Sequence, residues 1–250
     1  MRWILGVAIL LAGCAKAPDV AHGRRIATFM GCISCHGERL DGHLFEENAD
    51  FAIAYSANLS RIVPRRSDPE LAATLRTGRR PDGSALWFMP TFAHRAIDDA
   101  DLRDLLAWLR SVPPSGKDHP AIVRGPQFAL ALKAGFQDSA SEAERLKGRE
   151  PIETGPATER GRYLTRLACA ECHGPDLHGP KDPRPGDAPD LAVAAAYGLP
   201  ELTTLLRTGR ARGHRLVGLM SEEAPKRLHA LSDAEIADMH AYLEARAQRR

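Results

Sequence analysis

The chain has 250 residues, 26% of them charged and 44% hydrophobic, with 34 Lys and Arg against 32 Asp and Glu. That balance argues against a disordered chain. A net charge of +2 with no basic run interleaved with aromatics argues against nucleic acid as a partner. Twenty-one Gly and 18 Pro point to a loop-rich globular protein, and seven Phe, four Tyr and three Trp leave little aromatic bulk if the chain divides into two small domains.

Met1-Arg2-Trp3 is a short basic start, followed by nine apolar residues (4–12) and then Leu11-Ala12-Gly13-Cys14. Nine residues at about 1.5 Å rise cannot cross a bilayer, so 1–13 reads as a signal peptide. No apolar run of about 20 residues follows, so no internal span is predicted. Leu11-Ala12-Gly13-Cys14 resembles a bacterial lipobox. The resemblance implies a lipidated Cys14 as the first mature residue, with 14–20 as a tether to a membrane, inner or outer unresolved. An ordinary secretory signal beside a stray cysteine is the alternative.

The other cysteines form two pairs, each followed at once by histidine: Cys32-Ile33-Ser34-Cys35-His36 and Cys169-Ala170-Glu171-Cys172-His173. C-x-x-C-H is the attachment pattern of c-type haem. Two thiols three positions apart share one side of a helical turn and can add to the two vinyl groups of one porphyrin, and the adjacent imidazole then falls under the iron. Chance would produce about 0.004 such matches in a chain of this composition, so two are not accidental. A thioredoxin-like redox pair lacks its βαβ setting, and a zinc site built from both pairs would join residues 137 apart in sequence.

In chain order, the same unit occurs twice. Gly23-Arg24-Arg25-Ile26 leads into Cys32 as Gly161-Arg162-Tyr163-Leu164 leads into Cys169. Helices are predicted at 68–76 and 200–207, each closed by Leu-Arg-Thr-Gly-Arg (75–79 and 206–210), with Gly78 and Gly209 suited to a left-handed residue past the helix end. The offset of 131 that relates these stretches carries Met89 onto Met220. Each unit ends in an amphipathic helix, with apolar residues at 102, 105, 106 and 109 and at 236, 239, 242 and 243. Asp98 or Asp99 and Ser232 are the N-cap candidates, and Pro113-Pro114 stops the first of these helices. Residues 116–157 connect the units. In them Phe128-Ala129-Leu130-Ala131-Leu132-Lys133 reads as a short strand or helix, and the rest as a partly ordered surface wrap.

This order of helix, attachment turn, loop, helix, Met-bearing loop and final helix resembles the small cytochrome c domain, and the chain resembles a dihaem cytochrome c of the bacterial periplasm. The resemblance implies an all-α fold of two tandem domains, 21–115 and 158–250, joined by the 116–157 linker, each built around one covalent haem c that supplies the missing core bulk. It assigns Cys32, Cys35, Cys169 and Cys172 as attachment sites, His36 and His173 as proximal iron ligands, and Met89 and Met220 as distal ligands, with His214 the rival to Met220. Met30 belongs on the proximal side and Met239 in the core. Arg79, Arg80, Arg210 and Arg212 are either propionate partners or a solvated basic loop. Asn58 and Trp87 are pocket residues by resemblance alone, and Arg246, Arg249 and Arg250 read as a frayed end. The function implied is single-electron transfer, not catalysis. The donor would be a dehydrogenase or quinol-oxidising complex, and the acceptor an oxidase or another cytochrome. A dihaem enzyme of the peroxidase or thiosulfate-oxidising type, or a haem redox sensor, is the alternative.

Overall fold

A computed structural model describes residues 17–181 and 184–249. The expected signal peptide and Cys14 lie outside the described residues, as does Arg250. The first repeat runs through α1 (Val20–Phe29), α2 (Cys32–His36), strands β1 (Leu44–Asn48) and β2 (Ala52–Tyr55), α3 (Leu59–Ile62), α4 (Asp68–Thr77), α5 (Thr91–His94) and α6 (Asp99–Ser111). The connection holds β3 (Val123–Arg124), α7 (Pro126–Lys133) and α8 (Ser139–Arg145). The second repeat holds α9 (Glu159–His173), α10 (Leu199–Thr208), α11 (Leu219–Arg227) and α12 (Asp233–Ala247), with 3-10 turns at Leu191–Ala196 and Leu228–Ala230. The fold is mostly helical, as the repeat pattern predicts.

Local chemistry sets the helix ends. Ser67 and Glu70 form a reciprocal capping box on α4, and Ser232 and Glu235 do the same on α12. At α6 the N-cap is Asp98, whose carboxylate accepts from Asp101 N at 2.7 Å. Gly78 and Gly209 close α4 and α10 at φ 69° and 70°, the left-handed conformation anticipated for them. The arginine just inside each of these ends then reaches the start of the last helix. Arg76 donates to Ile97 O and Asp99, and Arg207 donates to His229 O and Asp233.

Glycine decides where the first and last helices of each repeat cross. A methyl group at Gly23 would lie 2.0 Å from Asp104 O, and one at Gly161 would lie 2.0 Å from Asp238 O. Bare Cα atoms thus let α1 rest on the backbone of α6, and α9 on that of α12. The repeats diverge at the next turn. Gly31, at φ 84°, separates α1 from α2, whereas Ala168 at the matching place lets α9 continue unbroken through His173.

Three findings depart from the sequence reading. First, a three-stranded antiparallel sheet of order β1-β2-β3 joins the helices. Ala52 and Ala54 are buried and alternate with half-buried Ile53 and Tyr55, a period of two inside a stretch read as loop. Second, the connection carries the short strand or helix expected at 128–133 as helix α7 and adds β3 and α8, so it is more ordered than a surface wrap. Phe128 stacks on Phe51 with centroids 5.4 Å apart and meets Trp87 edge-on at 5.1 Å. Phe136 packs on Phe51, Trp87 and Phe88. Arg124 lies 4.8 Å from the Trp87 ring centroid, and Ser139 N donates to Leu86 O. The aromatic residues of the connection find partners in distant parts of the chain, which periodicity does not reveal. Third, Arg246 and Arg249 do not belong to a frayed end. Arg246 is 1% exposed and bonded to Asp190 and Leu177 O, and Arg249 donates to Glu153 O and Thr154 O.

The two repeats pack on each other around one continuous core that holds Ile26, Phe29 and Leu105 of the first with Leu164, Leu167 and Tyr242 of the second. Their polar contacts correspond. Arg25, two residues after Gly23, donates to Ala230 O and pairs with Glu235 at the start of α12. Tyr163, two residues after Gly161, donates to Asp101 Oδ2 at 2.7 Å and accepts from Asp98 N at the start of α6. The same residue position in each repeat thus grips the cap of the other's last helix.

Candidate haem-attachment sites

The attachment turn of each repeat is a helical turn, carried by α2 and by the end of α9. Cys32 and Cys169 are half-buried, Cys35 and Cys172 are exposed, and all four are free thiols. Burial pushes the Cys32 and Cys169 thiols up to about 12, so both are neutral nucleophile precursors. Among the described residues no group of three or more His, Cys, Asp and Glu side chains converges as a metal ion would require, so the zinc geometry considered for the two cysteine pairs is not present there.

Each histidine is held from behind. His36 Nδ1 is 2.8 Å from Ala57 O, and His173 Nδ1 is 2.7 Å from Pro189 O. A carbonyl only accepts, so Nδ1 carries the proton and the Nε2 lone pair is left for a metal. Burial lowers the pKa of both imidazoles, which keeps them neutral and able to ligate. In the second repeat the carbonyl is itself anchored. Asp190, next to Pro189, accepts from buried Arg246 at 2.8 Å, from Ala192 N at 2.7 Å and pairs with His178 at 2.6 Å.

In the second repeat Cys169, Cys172, His173 and Met220 line one cavity of about 190 Å³. Its walls are largely aliphatic: Leu191, Val193, Leu202, Leu205, Leu206 and Leu243. Two thiols, an imidazole with a free Nε2 and a thioether around an apolar chamber fit the donor set and surface of a covalently attached iron porphyrin. His214 is exposed at φ 58° and lies outside this lining, whereas Met220 at the start of α11 is half-buried within it. In the first repeat Met89 is half-buried on the loop into α5, behind Phe88 at φ 67°. That loop lies under the aromatic cluster of the connection, whereas Leu216 and Val217 of the matching loop are exposed.

Other sequence candidates separate. Met30 and Met239 are fully buried in the core. Trp87 belongs to the aromatic cluster, and Asn58 caps α3 while donating to Ser115 O and Lys117 O. Arg79 and Arg80 fold back on Gly83, Ser84 and Ala85, and Arg212 pairs with Glu201, as a solvated basic loop would.

The sequence reading missed a polar group between the two attachment turns. Arg227 of α11 is 7% exposed, pairs with Glu171 at 2.9 Å and reaches Phe29 O at 3.4 Å. His94, also buried, sets Nε2 3.0 Å from Met30 O. Glu171 stands inside the C-x-x-C-H motif at a position where any residue is allowed, and Arg227 has no counterpart in the repeat, so neither carried a signal.

Fold and sites together define a helical protein with a duplicated Cys-x-x-Cys-His turn, each with its imidazole locked by a backbone carbonyl. The chain belongs to the cytochrome c family, whose model matches residues 20–113 and 158–246. It is 25% identical over 265 aligned positions to the fructose dehydrogenase cytochrome subunit of Gluconobacter japonicus, covering 92% of this chain and 53% of that protein. It is 28% identical over 174 positions to a nicotinate dehydrogenase subunit of Pseudomonas putida strain KT2440, covering 65% of this chain and 14% of that protein. The chain thus spans about half the length of the first relative and a small part of the second.

Proposed function

We propose that this protein is a periplasmic dihaem cytochrome c, held at a membrane through a lipid on Cys14. It would pass single electrons from a dehydrogenase to an oxidase or another cytochrome. The observation that carries this reading is the duplicated, carbonyl-locked histidine beside each Cys-x-x-Cys pair, with Met220 lining the same apolar cavity as His173. The dehydrogenase partner is supported by the similarity to a dehydrogenase cytochrome subunit. The anchor rests on residues 11–14 of the sequence.

When bound, haem iron supplies a one-electron couple. The chain's own residues make that couple a carrier's. Cys32, Cys35, Cys169 and Cys172 would hold the porphyrins by thioether bonds. His36 and His173 would hold the iron through Nε2 while Ala57 O and Pro189 O keep the rings from turning. Met89 and Met220 would supply thioether sulfur as further iron ligands, a donor that favours the reduced state. The aliphatic walls exclude water, so a change of one charge demands little rearrangement.

The test is the full chain matured in a host that attaches haem c. Two thioether-linked haems per chain, with a near-infrared magnetic circular dichroism signature of methionine at each iron, are expected. Met220→Ala should remove that signature from one haem while His214→Ala leaves both. A colourless product refutes the reading, and a high-spin haem in the wild type would favour the enzyme alternative. Mass spectrometry of the mature N-terminus checks the lipid on Cys14.

A further inference from the structure

Arg227 is a buried cation that reaches from one repeat to the other. It leaves α11 in the second repeat and ends against the first. A methyl group at Gly31 would lie 2.7 Å from its guanidinium carbon, so the planar head rests on the bare Cα one residue before Cys32. Nη2 reaches Phe29 O, Nη1 pairs with Glu171 at 2.9 Å, and Nε is buried with no partner among the described residues. Glu171 is the residue just before Cys172. Arg227 therefore bridges the two turns, through Gly31 and Phe29 O beside Cys32 and through Glu171 beside Cys172. Arg227 lines the same cavity as Cys169 and Cys172, and its head lies against the residue before Cys32.

A buried arginine stays charged, and taking a cation out of water is costly unless the site uses or compensates it. Here Glu171 and Phe29 O compensate it, Glu223 lines the cavity beside it, and most of the other lining residues are apolar. In such a medium a charge acts over several ångströms with little screening. The first repeat has no equivalent: aligning the ends of the two distal segments sets buried Ala93 opposite Arg227. One cation thus serves both turns.

We propose that the Arg227–Glu171 pair is a shared electrostatic element between the two haem-attachment turns, with Arg227 a positioning residue that locks Gly31 against the second repeat and sets the potentials of both haems together. This inference rests on the haem reading given above. An electron passing between the haems oxidises one iron as it reduces the other, and the pair keeps the two attachment turns in register and their potentials in step. The cation favours the reduced state at both irons, because ferric haem carries the extra positive charge, and the carboxylate offsets it.

The experiment is a spectroelectrochemical titration of the full chain as wild type, R227Q, R227K, E171Q and R227Q/E171Q, with haem content measured by pyridine haemochrome. R227Q should lower both midpoint potentials, by at least a threefold change in the oxidised-to-reduced ratio, which is about 28 mV at 59 mV per decade. E171Q should raise both by a similar amount. The double variant should return toward wild type, and R227K should stay near it. A shift confined to one haem, shifts of the same sign in R227Q and E171Q, or a double variant that does not compensate would each overturn the proposal. If R227Q yields no haem protein, E171Q decides, and an unchanged potential at either haem overturns it. A wild type without thioether-linked haem refutes instead the functional reading beneath.

Discussion

Replacing Gly23 by alanine sets two effects against each other. Alanine is the better helix former by about 1 kcal/mol, so on intrinsic preference alone the change would stabilise α1. The crossing with α6 says the reverse. The new methyl would stand 2.0 Å from Asp104 O and 2.5 Å from Asp104 C, where ordinary contact begins near 3.4 Å. The obstacle is backbone in the middle of another helix, so it cannot swing aside as a side chain would. The two helices must separate by about 1.4 Å along that contact, and Ile26, Phe29, Leu105 and Leu106, which share the core at this crossing, lose packing with it. Overpacking of this kind costs about 1–3 kcal/mol or more. Rigid backbone places the cost at the upper end, which leaves a net loss of about 2 kcal/mol after the propensity gain. For a chain of this size that is a fall of about 4–8 °C in the thermal midpoint of the haem-loaded protein. Gly161→Ala meets Asp238 O at the same 2.0 Å and should lose a similar amount. A Gly23→Ala or Gly161→Ala protein as stable as wild type would refute the claim that these glycines exist for close approach.

Two further outcomes are expected. Arg246→Met removes the cation of a buried pair with Asp190 and its bonds to Leu177 O, and should cost about 3 kcal/mol in urea unfolding, whereas the frayed-end reading expects no loss. Glu235 is shifted by burial, which raises its pKa, but the backbone and hydroxyl donors of Ser232 and the Arg25 guanidinium outweigh burial and hold it below its ordinary value of 4.5. A depressed carboxyl pKa contributes stability that is present above the unfolded value and is lost as pH falls through the folded one. Between about pH 5 and 3 the wild type should therefore lose thermal stability more steeply than Glu235→Gln, and parallel curves would contradict the assignment.

Much of this molecule is legible from residue order because the relevant physics is local. A C-x-x-C-H turn needs no distant partner to present two thiols and an imidazole on one face. Capping pairs such as Ser232 with Glu235, and the left-handed Gly78 and Gly209, act within one turn of chain. The 131-residue offset that relates Met89 to Met220 is likewise written in the chain, because a duplicated fold repeats its spacing.

What only the tertiary structure decided is everything whose energy comes from residues far apart in the chain. Trp87 reads as a pocket residue, yet its partners Phe128 and Phe136 lie in the connection, which is folded because it finds aromatic surface to bury. Arg246 reads as a solvated end until Asp190 and the carbonyl of Leu177 close around it. The carbonyls of Ala57 and Pro189 orient the two histidines, yet a backbone oxygen has no residue type by which to be recognised. Arg227 meets Glu171 within its own repeat but finds Gly31 and Phe29 O only once the two repeats pack together, and a charge tolerated in a core is decided by its surroundings and not by its own identity.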